Sequence, residues 1–183
     1  MILPIYVYGT DVLRQETKDI APNYPNLYKL IEDMFETMYA SEGVGLAAPQ
    51  VGKAIRLFVV DADALKDDFP ECKGFKRAFI NPEIVSFSDK LCTMSEGCLS
   101  IPGLSEEVER PESITIKYLD EDFNEHEEVL TSFNARVVQH EYDHLEQILF
   151  TDRIKPMRKA IIRGKLSKMS RGKVHADYRV ITK

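Results

Sequence analysis

Residues 139–144 read Gln139-His140-Glu141-Tyr142-Asp143-His144 and contain the pattern H-E-x-x-H. On an α-helix, residues four apart stand on one face, one turn apart. His140 and His144 can then grip one metal ion while Glu141 stands beside it to move protons. Phe133, Val137, His140, Glu141, His144 and Leu145 recur at helical spacing with Ser132 in front as N-cap, which predicts a helix over 133–147. The histidine face also carries Phe133 and Val137, so the site is expected in an apolar wall. A single histidine on such a face is ordinarily a core residue. Two at this spacing, with the glutamate in place, favour metal. Two histidines do not fill a site, because a catalytic metal takes three protein ligands and keeps an open position.

A third ligand is found upstream, in Glu96-Gly97-Cys98-Leu99-Ser100-Ile101-Pro102-Gly103. Gly97 is expected to let the backbone turn tightly beside the thiol. A lone cysteine is more often a small buried hydrophobe, but with two histidines unfilled downstream Cys98 becomes the best third ligand. It lies 42 residues before His140, so the site is assembled by the fold rather than by a zinc-finger spacing. Cys72 and Cys92 are read as structural.

Gly43-Val44-Gly45-Leu46-Ala47-Ala48-Pro49-Gln50-Val51-Gly52 is too small and glycine-rich to pack as an ordinary element. It brushes against the dinucleotide fingerprint, but a helix precedes it and Pro49 falls where the phosphate-binding helix would run. Two readings stay open: a plain tight loop, or a loop that lays its backbone along a substrate and offers the Gln50 amide as a donor.

The chain has 183 residues, 44% of them hydrophobic, enough for one domain with a core. No run approaches a membrane span and nothing resembles a signal peptide, so a cytoplasmic protein is expected. Three cysteines argue against a disulfide framework. Charge is uneven. Residues 155–183 hold ten basic residues against the single acid Asp177, a net +9. The remaining 14 basic and 29 acidic residues leave a body of −15, for a total of −6. A basic end on an acidic body suits an anionic partner.

In chain order, residues 1–22 read as an irregular arm. Residues 25–40 read as a helix begun by Pro25, with Leu27, Leu30, Ile31, Met34, Phe35 and Met38 as its buried stripe. Ile55–Asp61 and Ala78–Val85 are predicted strands flanking a polar loop, with Asn81-Pro82 as a break. Residues 86–95 look extended. Ile114–Leu119 and a run ending at Val129-Leu130 form a hairpin about the turn 120–124, with His126 on its polar arm. A last helix is expected over 157–169, with Met157, Ile161, Ile162 and Leu166 as its apolar stripe. These elements give an α+β fold: antiparallel β-sheets around a central metal-binding helix, with an N-terminal and a C-terminal helix. Residues 1–169 are expected to form one catalytic domain and 170–183 a polar, basic tail.

Taken together, Gly43–Gln50 (G-φ-G-φ-A-A-x-Q), Glu96–Ser100 (E-G-C-φ-S) and Gln139–His144 (Q-H-E-x-D-H) resemble, in order and separation, the three motifs of bacterial peptide deformylase. Asp11-Val12-Leu13-Arg14 is similar to that family's N-terminal pattern, so the resemblance covers about residues 1–155. Gln147 stands where the family usually has a glycine.

The resemblance implies an enzyme that removes the N-formyl group from the first methionine of new proteins, releasing formate. It implies Cys98, His140 and His144 as metal ligands, with Glu141 taking a proton from water and passing it to the leaving nitrogen. The Gln50 side chain and the Leu99 backbone N–H would meet the oxyanion. Gly43, Gly45 and Gly97 would let backbone crowd a small formyl group, and Val44, Phe133 and Val137 would receive the methionine side chain. The metal implied is Fe²⁺, with Zn²⁺, Ni²⁺ or Co²⁺ also able to occupy the site. Asp143 is expected to face away from the metal in a supporting role. The implied partners are the nascent formylmethionyl chain and, through the basic C-terminal helix, the ribosome. Two other classes fit H-E-x-x-H: a metallopeptidase or amidase of different substrate, and a metal-stabilised binding module, against which Glu141 and Gln50 argue.

Overall fold

The computed structural model describes residues 1–183 and is an α+β fold. In chain order the elements are β1 (Ile5–Tyr6), α1 (Leu27–Ala40), β2 (Gly45–Ala47), β3 (Leu57–Asp61), β4 (Lys76–Phe87), β5 (Leu91–Cys98) and β6 (Ile101–Pro111). They continue with β7 (Ser113–Leu119), β8 (Glu125–Thr131), α2 (Ser132–Leu145), α3 (Phe150–Arg153), α4 (Pro156–Ser170) and β9 (Val180–Ile181).

One antiparallel sheet, in the order β2-β3-β4-β7-β8, divides the molecule. Successive strand residues face opposite sides. Phe58 and Val60 of β3 therefore join Ala135, Val137, Val138 and Leu145 of α2 in one core, while Leu57 and Val59 join Leu30, Ile31, Met34 and Met38 of α1 in a second. A strand covered on both faces has no polar side to show, which is why β3 is a run of apolar residues. Full burial of each such side chain contributes about 1.5–3 kcal/mol, and the Phe58 and Phe79 rings stack at 4.6 Å within the α2-facing core. The β5–β6 hairpin stands apart from this sheet. The inward residues Ile101, Leu104 and Val108 of β6 pack on Leu149, Phe150, Ile154, Ile162, Leu166 and Met169.

Several details depart from the expected elements. Pro25 lies in a turn, and α1 begins at Leu27 behind Asn26, whose φ is +57°. Phe35 is only partly buried and stacks on Tyr39. Ser132 does not cap α2: its φ is +53°, Thr131 flanks the helix, and no side chain caps it. In α4 the buried stripe is Ile162, Leu166 and Met169, whereas Met157 and Ile161 are 77% and 61% exposed. The spacing i, i+4, i+7 against β6 sets that face. β6 occupies a segment for which no element was expected. The polar stretch 170–183 is laid back on the body, where β9 pairs in parallel with β1, Ile5 against Val180 and Tyr6 against Ile181. No helix is long and apolar enough to cross a membrane, and Cys72, Cys92 and Cys98 are free.

The end of α2 explains the position of Gln147. Its N–H reaches His144 O at 3.4 Å and the Ile148 N–H reaches Asp143 O at 2.9 Å, the two bonds of a Schellman cap. That cap needs a left-handed residue, and Gln147 supplies it at φ +58°, a conformation glycine adopts without the Cβ penalty. Gln147→Gly should therefore raise the thermal midpoint by about 2 °C, and Gln147→Val should lower it by at least as much, since a β-branched side chain resists positive φ. A melting series with Val at or above Gly would contradict this account of the cap.

Candidate active site

From Asn134 to Leu145 every residue of α2 except Tyr142 is buried, polar ones included. Buried polar groups need partners, and Arg136, Gln139, His140 and Asp143 of α2 find them on the β5–β6 hairpin. Arg136 Nη1 donates to Glu96 Oε2 at 2.7 Å and to Val108 O at 2.8 Å, and Nη2 donates to Cys92 O at 2.7 Å. Gln139 Nε2 donates to Pro111 O at 2.9 Å. Asp143 accepts Arg110 Nη1 at 2.8 Å and Arg153 Nη2 at 2.7 Å, so it faces away from the histidine pair and braces the helix.

Glu96 is the hub. Its two oxygens accept Arg110 Nε at 2.7 Å, Arg110 Nη2 at 2.9 Å, Arg136 Nη1 at 2.7 Å and His140 Nδ1 at 2.8 Å. Burial alone would raise its pKa, but Arg110 and His140 outweigh burial and hold the carboxyl well below the usual range. An ionised carboxylate only accepts, so His140 Nδ1 carries a proton and Nε2 is the nitrogen left for a metal.

Cys98 ends β5, where the hairpin register shifts: Gly97 faces Ser105 but Cys98 faces Ile101. The shift takes the thiol out of the ladder and brings Sγ to 3.4 Å from His144 Nε2. Gly97 itself lies in the extended strand, and a Cβ there would meet Ser105 Oγ at an ordinary 3.4 Å. The turn beside the thiol is made by Leu99 and Ser100, so the expectation that Gly97 permits a tight turn or close crowding is not met. One donor atom each from Cys98, His140 and His144 lie within 4.8 Å of one another. The rings of His140 and His144 meet edge-on with centroids 5.3 Å apart.

A thiol and two imidazoles make a donor set suited to borderline divalent metals. The electrostatics fit a cation. Burial, then the charges of His140 and Arg110, hold His144 well below its usual pKa, in the neutral form a metal needs. Burial also opposes charge on His140, but Cys98 and Glu96 overcome it and keep its pKa high. The proton they hold there is the one that a metal displaces on binding. Burial raises Glu141 to about 7, and its Oε2 has no partner within the protein.

Around these groups the glycine-rich stretch is partly strand. Gly45–Ala47 forms β2 at the open edge of the large sheet, an ordinary element where none was expected, so the stretch is not a plain tight loop. A Cβ on Gly45 would stand 2.6 Å from Glu141 Oε1, and one on Gly43 would stand 2.8 Å from Leu99 Cδ1. A side chain at either place would push Glu141 or Leu99 out of its position. Gln50 is buried, its Oε1 accepts the Ala47 N–H at 2.8 Å, and its Nε2 points to Ser100 Oγ at 3.1 Å and Cys98 Sγ at 3.5 Å. A cavity of about 630 Å³ gathers Gly43, Val44, Gly45, Gln50, Gly97, Cys98, Leu99, Phe133, Val137, His140 and Glu141. His144 lies behind them, 1% exposed.

Other cysteines and histidines stand outside. Cys72 is in the core, and burial raises its thiol to about 11. Cys92 accepts Arg136 Nη2 at 3.4 Å. His126 pairs with Asp120 at 2.7 Å on the hairpin. Sequence reasoning quoted Glu96 and Ser100 without giving them roles and passed over Arg110, Arg136 and Tyr178. The signal for Glu96 was its place two residues before the thiol. Tyr178 had none, and yet it reaches the cavity with His175, Ala176 and Asp177.

The family model described as polypeptide deformylase matches residues 2–160, which leaves out the C-terminal segment that reaches the cavity. A peptide deformylase of Flavobacterium johnsoniae is 49% identical over 187 residues, spanning 98% of this chain and 95% of that protein. One from Salinibacter ruber is 48% identical, spanning 100% and 96%. Among solved structures, the peptide deformylase of Thermotoga maritima aligns with a TM-score of 0.77 at 42% identity, covering 85% of this chain and 99% of that one. Peptide deformylase 1B of Arabidopsis thaliana, in complex with an inhibitor, aligns with a TM-score of 0.81 at 35% identity, covering 97% and 98%.

Proposed function

Because the chain belongs to the polypeptide deformylase family, we propose that it removes the N-formyl group from the terminal formyl-methionine of newly synthesised proteins, releasing formate. It is a hydrolase of a linear amide and works with one divalent metal. The observation that carries this reading is the approach of Cys98, His140 and His144 donor atoms to within 4.8 Å beside the buried carboxylate of Glu141.

Cys98, His140 and His144 would hold the metal. We assign Fe²⁺, with Zn²⁺, Ni²⁺ and Co²⁺ accepted by the same donors. Such an ion lowers the pKa of water from 15.7 to about 7 and so supplies a nucleophile at neutral pH. Glu141 receives the proton of the attacking water and returns it to the leaving amine nitrogen. Its unpartnered Oε2 supports that role. Gln50 Nε2 and the Leu99 N–H face the carbonyl oxygen as it gains charge, donors whose loss typically costs about 10²–10³ in rate. Gly43 and Gly45 bring backbone close to the formyl group, and the open edge of β2 can pair with the substrate backbone. Val44, Phe133 and Val137 form the apolar wall for the methionine side chain, with Gly97 at its rim.

Formate release from formyl-Met-Ala-Ser tests this. Glu141→Ala should retain one metal per chain while losing about 10²–10⁴ in turnover. Cys98→Ala should lose tight metal binding, and Cys72→Ser and Cys92→Ser should not. Near-normal turnover in metal-loaded Glu141→Ala, or full metal retention in Cys98→Ala, would overturn the assignments.

We further propose, from the family resemblance and the charge of the chain's end, that the enzyme works in the cytoplasm on nascent chains and meets the ribosome through α4. Arg158 is not free for that contact, since its Nε and Nη2 each donate to Glu106 at 2.8 Å. Lys159, Arg163, Lys165 and Lys168 remain exposed beside Met157 and Ile161. Binding through such charges should fall steeply with salt. Reversing Lys159, Arg163 and Lys168 to Glu should weaken ribosome co-sedimentation and flatten its salt dependence while leaving turnover of formyl-Met-Ala-Ser unchanged. Unaltered ribosome affinity would refute it.

A further inference from the structure

The last residues of the chain enter the site by a definite route. β9 docks on β1, the Ile5 N–H donating to Arg179 O at 2.9 Å and the Val7 N–H to Ile181 O at 3.0 Å. The chain just before β9 is thereby held against the loop that follows Cys98. Tyr178 Oη donates to Leu99 O at 2.6 Å, and one residue beyond β1 and Val7 the Tyr8 N–H donates to Ser100 O at 2.8 Å. Two successive carbonyls of the Cys98 loop are thus tied down, one by the C-terminal segment and one by the N-terminal arm that β9 pairs with. The Leu99 side chain lies close to Gly43, and Leu99 and Tyr178 pack on the same apolar cluster. The Leu99 N–H lies in the peptide unit just before these anchored carbonyls. It is joined through the Leu99 Cα to the carbonyl that Tyr178 holds, so with that carbonyl tied and the Leu99 side chain packed, the Cα is restrained and the N–H with it.

We propose that Tyr178 is a positioning residue of this enzyme: its hydroxyl, delivered by the β9–β1 pairing, holds the Leu99 peptide so that the Leu99 N–H points at the substrate oxyanion. The inference rests on the deformylase reading of the site. An oxyanion donor works because it is aimed before the reaction begins, and a misplacement of about 1 Å can cost about a hundredfold in rate. The C-terminal segment is on this account part of the catalytic construction and not only a polar end, and it couples the site to the chain's first strand.

The test uses the full-length, metal-loaded enzyme with Tyr178→Phe, which removes the hydroxyl and keeps the ring, and Tyr178→Leu, which removes both. Loss of one hydrogen bond of ordinary strength corresponds to about tenfold. Tyr178→Phe should lower kcat on formyl-Met-Ala-Ser about tenfold with KM changed less than about twofold, metal content unchanged and the melting midpoint close to wild type. Amide hydrogen exchange of the peptide covering residues 98–101 should quicken by a similar factor, a readout independent of turnover. Tyr178→Leu should match the kcat of Tyr178→Phe and add a rise in KM, because the ring is a wall of the cavity. Wild-type kcat and wild-type exchange in Tyr178→Phe would overturn the proposal, as would a kcat loss that comes with metal loss or a broad drop in stability. A wild-type enzyme that releases no formate would sink the deformylase reading instead, and the exchange measurement would still decide whether Tyr178 holds the loop.

Discussion

Glu96 sits with hardly any water around it and accepts four hydrogen bonds from three cationic or polar side chains, two from Arg110, one from Arg136 and one from His140. Removing a carboxylate from water costs several kcal/mol even after relaxation, and only good geometry with every lone pair engaged offsets it. Here the offset is met by charges that balance: Glu96 and Asp143 against Arg110 and Arg136, with Arg153 closing the cluster from its half-exposed side. The same bonds join β5, β6, α2 and α3. Such a cluster is not an efficient way to gain stability, since an apolar substitute of equal volume is often as stable. What it provides is orientation. The carboxylate fixes the tautomer of His140, and a fixed tautomer aims Nε2 at the point where Cys98 and His144 converge.

The rest of the fold can be understood as what that cluster requires. α2 carries seven buried polar side chains, and the hairpin beside it supplies the partners of Arg136, Gln139, His140 and Asp143. The hairpin in turn stands apart from the main sheet and has to be held by something else. That support is the third apolar cluster, in which Ile162, Leu166 and Met169 of α4 close over β6. On the other flank the two-sided burial of β3 sets α1 and α2 on opposite faces of one sheet. Its edge strand β2 then lies so close to Glu141 that no side chain fits at Gly45.

Where physical periodicity and residue type agreed, the sequence was legible. Phe133, Val137, His140 and His144 announced a helix with one wall of apolar and metal-binding groups; β3, β4 and the β7–β8 hairpin followed from apolar runs and turn residues. β6 was opaque for a specific reason. Its inward positions are Leu104, Glu106, Val108 and Arg110, and two charged residues in the buried set erase the alternation that marks a strand. Those two charges are there for tertiary partners, Arg158 and Glu96, which no local pattern announces. The same holds for Met157 and Ile161, apolar at helical spacing yet facing outward because the face that α4 lays on β6 is that of Ile162, Leu166 and Met169. Tyr178 lies in a stretch of polar composition, and its contact with Leu99 spans 79 residues of chain. Gln147 was read as a departure from a glycine, and the left-handed φ found there gives the reason a glycine suits the position.

The central claim is that the Glu96 carboxylate, through His140 Nδ1, prepares the metal site. Its most direct test is the affinity for Zn²⁺, measured by competition with a chelator, in the wild type and in Glu96→Gln. The amide is nearly isosteric but cannot accept all four donors. Loss of an outer partner of a ligating histidine typically weakens metal binding by about 10–100-fold, and a loss in that range is the predicted result. Equal affinity in the two proteins, with Glu96→Gln folded, would contradict it.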